Sequence, residues 1–312
     1  MKGIKFYSIS SYIPDKVVTN DDMSRIVDTN DEWIRTRTGI ERRHFASDCT
    51  NVSMAVRAAE KALSQSGIDP EKLCCVVVAS FTSEIHSPSV ACLVQRELGL
   101  PDHVMAFDIN AACSGFIYGL GIVRGLLMQN EDCYALLVGS EKLSNFTNFE
   151  DRSTCVLFGD GAGAAVLGLD ERAFYSEYGA HGDDSLIYCG VGLKDTPMEP
   201  LRMNGGEVFK FAVEHIEYVI NKLLEKSGLT IDDIDHVVCH QANKRIISNI
   251  ARKMKSAEKF FVDIEEFGNT SSASIPIALD DMNRRGMLKR GDKIICVGFG
   301  GGLTWGGVLT EW

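Results

Sequence analysis

The chain predicts a duplicated α/β fold, two related units whose sheets are covered by helices on both faces, and three observations carry that expectation. The first is an internal echo: KALSQSGIDPEKLCCVVVA begins at Lys61 and KLLEKSGLTIDDIDHVVCH at Lys222, 161 residues later. The second is a pair of weaker echoes in the same order, Ala106–Ile109 with Phe261–Ile264 and Tyr134–Gly139 with Ile294–Gly298. The third is the continuous apolar character of runs such as Val76–Ala79 and Ala135–Val138, which suits strands buried on both faces. The halves fall near 1–168 and 169–312, and with no Pro/Ser-rich linker between them they pack as one body.

Each element has a local reason. Ser66-Gly67 and Ser227-Gly228 each end a helix, with glycine at the position that needs positive φ, followed by an acidic turn and a β-branched strand. A short strand ending at Ile109 leads through Cys113 into a long apolar helix, Phe116–Leu127. Gly159–Ala164 resembles a dinucleotide fingerprint, but Ala165–Leu169 after it reads as a strand rather than a helix. Val237–Cys239 is a strand ending at His240, a helix follows from Lys244, and a small polar turn, Phe267–Ser274, precedes a helix at Ile277–Asn283.

Composition narrows the function. The 312 residues are 45% hydrophobic and 24% charged, an ordinary globular balance, and the net charge of −11 repels phosphate backbones, which disfavours nucleic-acid binding. The first ten residues are too short and polar for a signal segment, and Ile109–Val123 and Ile294–Leu309 are too short and glycine-rich to span a membrane. The ten cysteines are scattered, and Cys74, Cys75, Cys239 and Cys296 sit in apolar runs, so a reducing, cytoplasmic location with free thiols is expected.

Among them Cys113 stands apart, because a thiol at a helix N-terminus meets the positive end of the dipole, which lowers its pKa. Its alternative is a small hydrophobe in a close-packed helix. His240 ends a strand, where α/β proteins place ligand-facing groups, or else it is a histidine hydrogen-bonded under a loop. His236 is four residues away, about 13 Å along a strand, too far to share one zinc, and no metal site is expected. Asn269 is either a helix cap or, by the echo, the counterpart of the Cys113 turn. Phe299–Trp305 lacks the Lys-Ser/Thr of a phosphate loop, so it is a tight turn or a source of bare N–H groups. Lys244, Arg245, Arg252, Lys253 and Lys255 form a basic helix face beside His240, a solvated surface or a guide for an acidic or phosphate-bearing partner.

Taken together, Asn110–Phe116, His240–Asn243, Gly268–Ser274 and Phe299–Gly306, with Asp31–Ile34, Thr36–Arg42 and Phe158–Ala164, resemble the motif set of 3-oxoacyl-[acyl-carrier-protein] synthase III, in order and from end to end. The resemblance implies a thiolase-like five-layered α/β/α/β/α sandwich, a homodimer, and a decarboxylative Claisen condensation starting fatty-acid or related acyl chains. It implies Cys113, His240 and Asn269 as the catalytic set, with an oxyanion hole from the backbone N–H groups of Cys113 and Gly301. It implies no permanently bound cofactor, with acyl-CoA and malonyl-acyl-carrier-protein as substrates. Trp33, Arg37, Arg152 and Asn243 match CoA contacts, and Lys210, Arg245, Arg252 and Lys253 match a docking surface for acyl carrier protein.

The chain departs from the pattern at Ser87-Pro88-Ser89, where a phenylalanine commonly gates the acyl pocket, and at Gly206, where an asparagine is frequent. The segment between His181 and Arg202 is short. With Ser87 as an acyl-pocket residue, a primer longer or more branched than acetyl is expected. The alternatives are a ketosynthase of polyketide- or quinolone-type specialised metabolism, a non-catalytic thiolase-fold partner subunit, and, more remotely, a papain-like protease with the same Cys-His-Asn order.

Overall fold

A computed structural model describes residues 2–130, 132–192 and 197–312. In chain order its main strands are β1 (Lys2–Tyr12), β2 (Leu73–Ala79), β3 (Met105–Ile109), β4 (Tyr134–Glu141), β5 (Gly161–Glu171), β6 (Phe174–Asp183), β7 (His236–Cys239), β8 (Lys293–Gly300) and β9 (Gly302–Glu311). The helices that matter here are α1 (Asp31–Thr38), α2 (Asn51–Ser66), α3 (Val90–Glu97), α4 (Gly115–Leu127), α5 (Gly205–Ser227), α6 (Lys244–Met254) and α7 (Ser274–Arg284).

One sheet has the order β1-β5-β4-β2-β3, the other β7-β8-β9-β6. In the first, β2 runs parallel to β3 and β4, while β5 is antiparallel to β1 and β4. The second repeats this plan: β7 is parallel to β8, and β9 is antiparallel to β8 and β6. The echoed segments therefore occupy equivalent places. Gly67 and Gly228 cap α2 and α5 with φ of 68° and 70°. The weakest echo marks where the halves diverge. Ala106–Ile109 lies in a full strand, but at its counterpart, Phe261–Ile264, there is only a bridge from the preceding Phe260 to Val237 before the chain turns into the short helix Ile264–Phe267.

Strand alternation explains the continuous apolar runs. In β2, Cys75 and Val77 pack into a central core with Phe116 and Leu120 of α4 and Ile275 and Leu279 of α7, whereas Val76 and Val78 face Met54, Ala58 and Ala62 of α2. In β8, Ile294 and Cys296 join the same central core, and Ile295 and Val297 face Ile216, Ile220 and Leu223 of α5. Helix, sheet, paired helices, sheet, helix: the five layers follow from two sheets with both faces apolar, each buried Val, Leu or Ile contributing roughly 1.5–3 kcal/mol. The glycine run after Phe158 opens a strand, β5, from Gly161. Helix α7 begins at Ser274, three residues before the expected Ile277, because Pro276 falls in its first turn, where a missing N–H costs nothing. All ten cysteines are free, and no helix among the described residues is long and apolar enough to cross a membrane.

Candidate active site

Two equivalent short turns meet at the centre of the sandwich. Ala112–Ser114 precedes α4 and Ser271–Ala273 precedes α7, and each contains a non-glycine residue with positive φ, Ala112 at 45° and Ser271 at 49°. Cys113 lies on the first turn and Asn269 just before the second. His240 follows β7, its N–H donating to the Val297 carbonyl at 2.8 Å. All three line one cavity of about 510 Å³, with Ser271, Phe299, Gly300 and Gly301.

The Gly300 backbone is pressed against Cys113: a Cβ there would come within 2.6 Å of the Cys113 nitrogen. Thr304 pins this strand-end to the turn, its hydroxyl lying 3.1 Å from the Ala111 carbonyl and 3.2 Å from Ser114 Oγ. Asn269 is clamped by its backbone, N–H to the Leu157 carbonyl at 2.8 Å and carbonyl to the Gly159 N–H at 3.0 Å. Its side-chain oxygen accepts from the Ser271 N–H at 2.9 Å, which orients the amide without capping α7.

The electrostatics correct one expectation. The Cys113 thiol is raised, not lowered, from its ordinary value. Burial pushes it up to about 12, the charge of Glu141 adds to this, and a hydrogen bond from Ser271 only partly offsets them. Cys113 lies on the short turn ahead of α4, and desolvation there disfavours the thiolate. Burial also pushes His240 down to about 3, so the imidazole is neutral. Its Nδ1 lies 2.6 Å from Ser274 Oγ, which itself accepts from the Gln241 N–H at 3.3 Å. The Ser274 proton is thus free to be donated to Nδ1, leaving Nε2 protonated. A thiolate–imidazolium pair of the protease kind is disfavoured here.

Other expected residues form the cavity mouth. Trp33 and Arg37 line it, and the guanidiniums of Arg37 and Arg152 pack on the Trp33 ring at 5.3 and 4.8 Å. Asn243 caps α6 by accepting from the Arg245 N–H at 2.8 Å and donates to the Arg37 carbonyl at 3.1 Å, tying α6 to α1. Lys210 and Arg245 also line the cavity, while exposed Arg252 and half-exposed Lys253 lie further along α6. Lys210 pairs with Glu207 and Lys253 with Glu217, ion pairs exposed enough to be exchanged cheaply. Gly206 lies in the cavity wall. Ser87 does not: it sits on an exposed turn, and Phe81, six residues earlier, lines the cavity instead. Residues 193–196 of the segment between His181 and Arg202 lie outside the described residues.

Sequence reasoning passed over Ser271, Ser274, Phe81 and Glu141. Glu141 had a signal, a carboxylate two residues beyond the apolar run Ala135–Gly139, in a strand buried from Ala135 onward. Among the described residues no cluster of three or more metal-ligating side chains occurs.

Comparison with known proteins gives a consistent picture. Residues 107–182 match the family model 3-oxoacyl-[acyl-carrier-protein (ACP)] synthase III, and residues 224–312 match the model of that family's C-terminal part. A beta-ketoacyl-[acyl-carrier-protein] synthase III of Clostridium acetobutylicum is 44% identical, covering 100% of this chain and 99% of its own. The crystal structure of 3-oxoacyl-[acyl-carrier-protein] synthase III from Aquifex aeolicus superposes with a TM-score of 0.92 at 44% identity, over 99% of this chain and 100% of that one. The priming beta-ketosynthase of the R1128 polyketide pathway has the same TM-score, 0.92, at 34% identity, over 99% and 96%.

Proposed function

Since the chain belongs to the 3-oxoacyl-[acyl-carrier-protein] synthase III family of acyltransferase-type condensing enzymes, we propose that its central cavity joins an acyl group from acyl-CoA to a malonyl unit on acyl carrier protein, starting fatty-acid chains. The observation that carries the reading is the single cavity running from Trp33 and Arg37 at its mouth to Cys113, His240 and Asn269 within.

In the first half-reaction the Cys113 sulfur attacks the thioester carbonyl and CoA leaves as its thiolate. The backbone N–H groups of Cys113 and Gly301 hold the oxyanion, each such donor typically worth ~2.7–4 kcal/mol of barrier. In the second, the malonyl thioester loses CO₂. Charge grows on its carbonyl oxygen, where Nε2–H of His240 and the Asn269 amide donate. Two neutral donors suit this step, because neither must lose a charge as the enolate forms. The enolate carbon attacks the acyl-Cys113 carbonyl, and the thiolate departs as product forms. No bound cofactor is required by these steps.

Trp33, Arg37, Arg152 and Asn243 serve the CoA moiety, and Lys210, Arg245, Arg252 and Lys253 the acidic carrier protein. We assign the enzyme to the cytoplasm, its two halves to residues 1–168 and 169–312, and its working form to a homodimer, for which the edge strand β3, with Met105 53% exposed, offers a pairing surface. The experiment is direct: the intact mass after incubation with acyl-CoA should rise by one acyl group, and malonyl-acyl-carrier-protein should discharge it. No adduct with acetyl-, branched or medium-chain acyl-CoA would favour a non-catalytic partner. Adducts without discharge by malonyl-acyl-carrier-protein would favour a specialised ketosynthase.

A further inference from the structure

Acylation leaves a proton to place. Desolvation holds the Cys113 thiol protonated, and His240 cannot readily take its proton, since burial disfavours the imidazolium. Glu141, the last residue of β4, is fully buried with no lysine or arginine ion pair among the described residues, yet its carboxylate is densely hydrogen-bonded. One oxygen accepts from Thr82 Oγ1 at 2.6 Å, Thr82 N at 3.2 Å and Phe81 N at 3.3 Å. The other accepts from Ser272 Oγ at 2.8 Å and Ser271 Oγ at 3.3 Å. Ser271 lines the same cavity as Cys113, on the turn that meets the Cys113 turn, and its hydroxyl favours the thiolate there.

We propose that Glu141 takes the Cys113 proton through the Ser271 hydroxyl as the enzyme is acylated, and returns it when the thiolate is expelled after condensation. Ser271 has one hydroxyl proton and two neighbours, so the chain has two balanced forms. With Cys113 as the thiol, S–H donates to Ser271 Oγ and Ser271 donates to the carboxylate. With Cys113 as the thiolate, protonated Glu141 donates to Ser271 Oγ and Ser271 donates to sulfur. One proton has moved from sulfur to carboxylate, and the buried pair keeps a single negative charge in both forms, so the shift adds no net buried charge. Burial lifts Glu141 to about 7, close enough to working pH for a group that must both take and give a proton. Its charge raises the thiols of Cys113 and Cys189. Acting through Ser271, Glu141 is a positioning residue with an acid–base duty.

The test uses the whole protein and a probe that does not depend on the acyl substrate: iodoacetamide alkylation of Cys113, followed by intact mass from pH 5 to 10. Wild type should show a rise in rate with an inflection near 7, then a second rise at high pH. Glu141→Gln should lose the inflection near 7 and alkylate at least tenfold more slowly at pH 7.5. Ser271→Ala should do the same with the Glu141 carboxylate intact, and its backbone has a precedent in Ala112, an alanine at φ 45° in the equivalent turn. Glu141→Asp should keep an inflection. The proposal is overturned if either relay variant retains the inflection, whether its rate is unchanged or lowered uniformly across pH, since uniform loss marks a purely structural role. Because alkylation needs no acyl-CoA, failure here is distinct from failure of the condensing-enzyme reading.

Discussion

The two central turns share a backbone conformation and differ in the chemistry of the side chains they carry. Ala112–Ser114 and Ser271–Ala273 each place a positive-φ residue ahead of a central helix, at equivalent positions of the two sheets. The first supplies a soft nucleophile with small neighbours on either side. The second carries only hydroxyls and an amide: Asn269, Thr270, Ser271, Ser272, Ser274. On the function proposed above, the shared geometry holds side chains that separate covalent capture from charge stabilisation. Replacing Cys113 with Ala should therefore break the first function completely, with no acyl adduct by intact mass at any acyl-CoA concentration, while folding and melting temperature change little at this half-buried site.

The second function should fail separately. His240→Ala and Asn269→Ala are each expected to acylate within severalfold of wild type but condense about 10²–10³-fold more slowly, the usual cost of losing one donor to a developing oxyanion. The measurement pair is the acyl adduct by mass and CO₂ release from malonyl-acyl-carrier-protein. Equal loss of both half-reactions in either variant would erase the division of labour.

Much of this was legible in the sequence, for physical reasons. Echoed Ser-Gly helix stops and doubly buried strands repeat because both halves solve one packing problem, so fold and duplication could be read from Gly67 and Gly228, Val76–Val77 and Val237–Val238. Cys113, His240 and Asn269, the residues proposed to react, stood out because their neighbours are small and polar where packing alone would favour bulk. The Cys113 pKa was not legible, because its sign depends on how much water reaches the sulfur, which no local pattern encodes. Nor was the Glu141 network, whose partners at 82, 271 and 272 come from distant stretches of chain. Ser87 lies on an exposed turn outside the cavity of its own chain, which Phe81 lines, and no local pattern distinguishes the two positions.

Close backbone approaches sharpen the comparison. A Cβ at Gly300 would meet the Cys113 nitrogen, and one at Gly139 would overlap the Ser272 carbonyl. Gly300→Ala should slow acylation and Gly139→Ala decarboxylation, each by about 10²-fold, since an ångström of displacement in an oriented site costs that much. Single-turnover rates of the two half-reactions would separate them, and a swapped pattern would mean that the turns move together.

The smallest effect contrasts two buried groups in their response to acid. Folding lowers His240 from 6.5 to about 3, so its contribution to stability is whole above pH 6.5 and is lost as pH falls toward 3. Folding raises Glu141 from 4.5 to about 7, so its contribution is whole below 4.5 and is lost as pH rises through 7. Each carries a slope of up to ~1.4 kcal/mol per pH unit, of opposite sign, and between pH 6.5 and 4.5 the two largely cancel. Against wild type, Glu141→Gln should become more acid-labile, with stability falling by an extra ~1–3 kcal/mol between pH 7 and 5, and His240→Asn should become less so. Chemical denaturation at the two pH values reads both differences, and parallel shifts in the two variants would show that the groups do not titrate independently of one another.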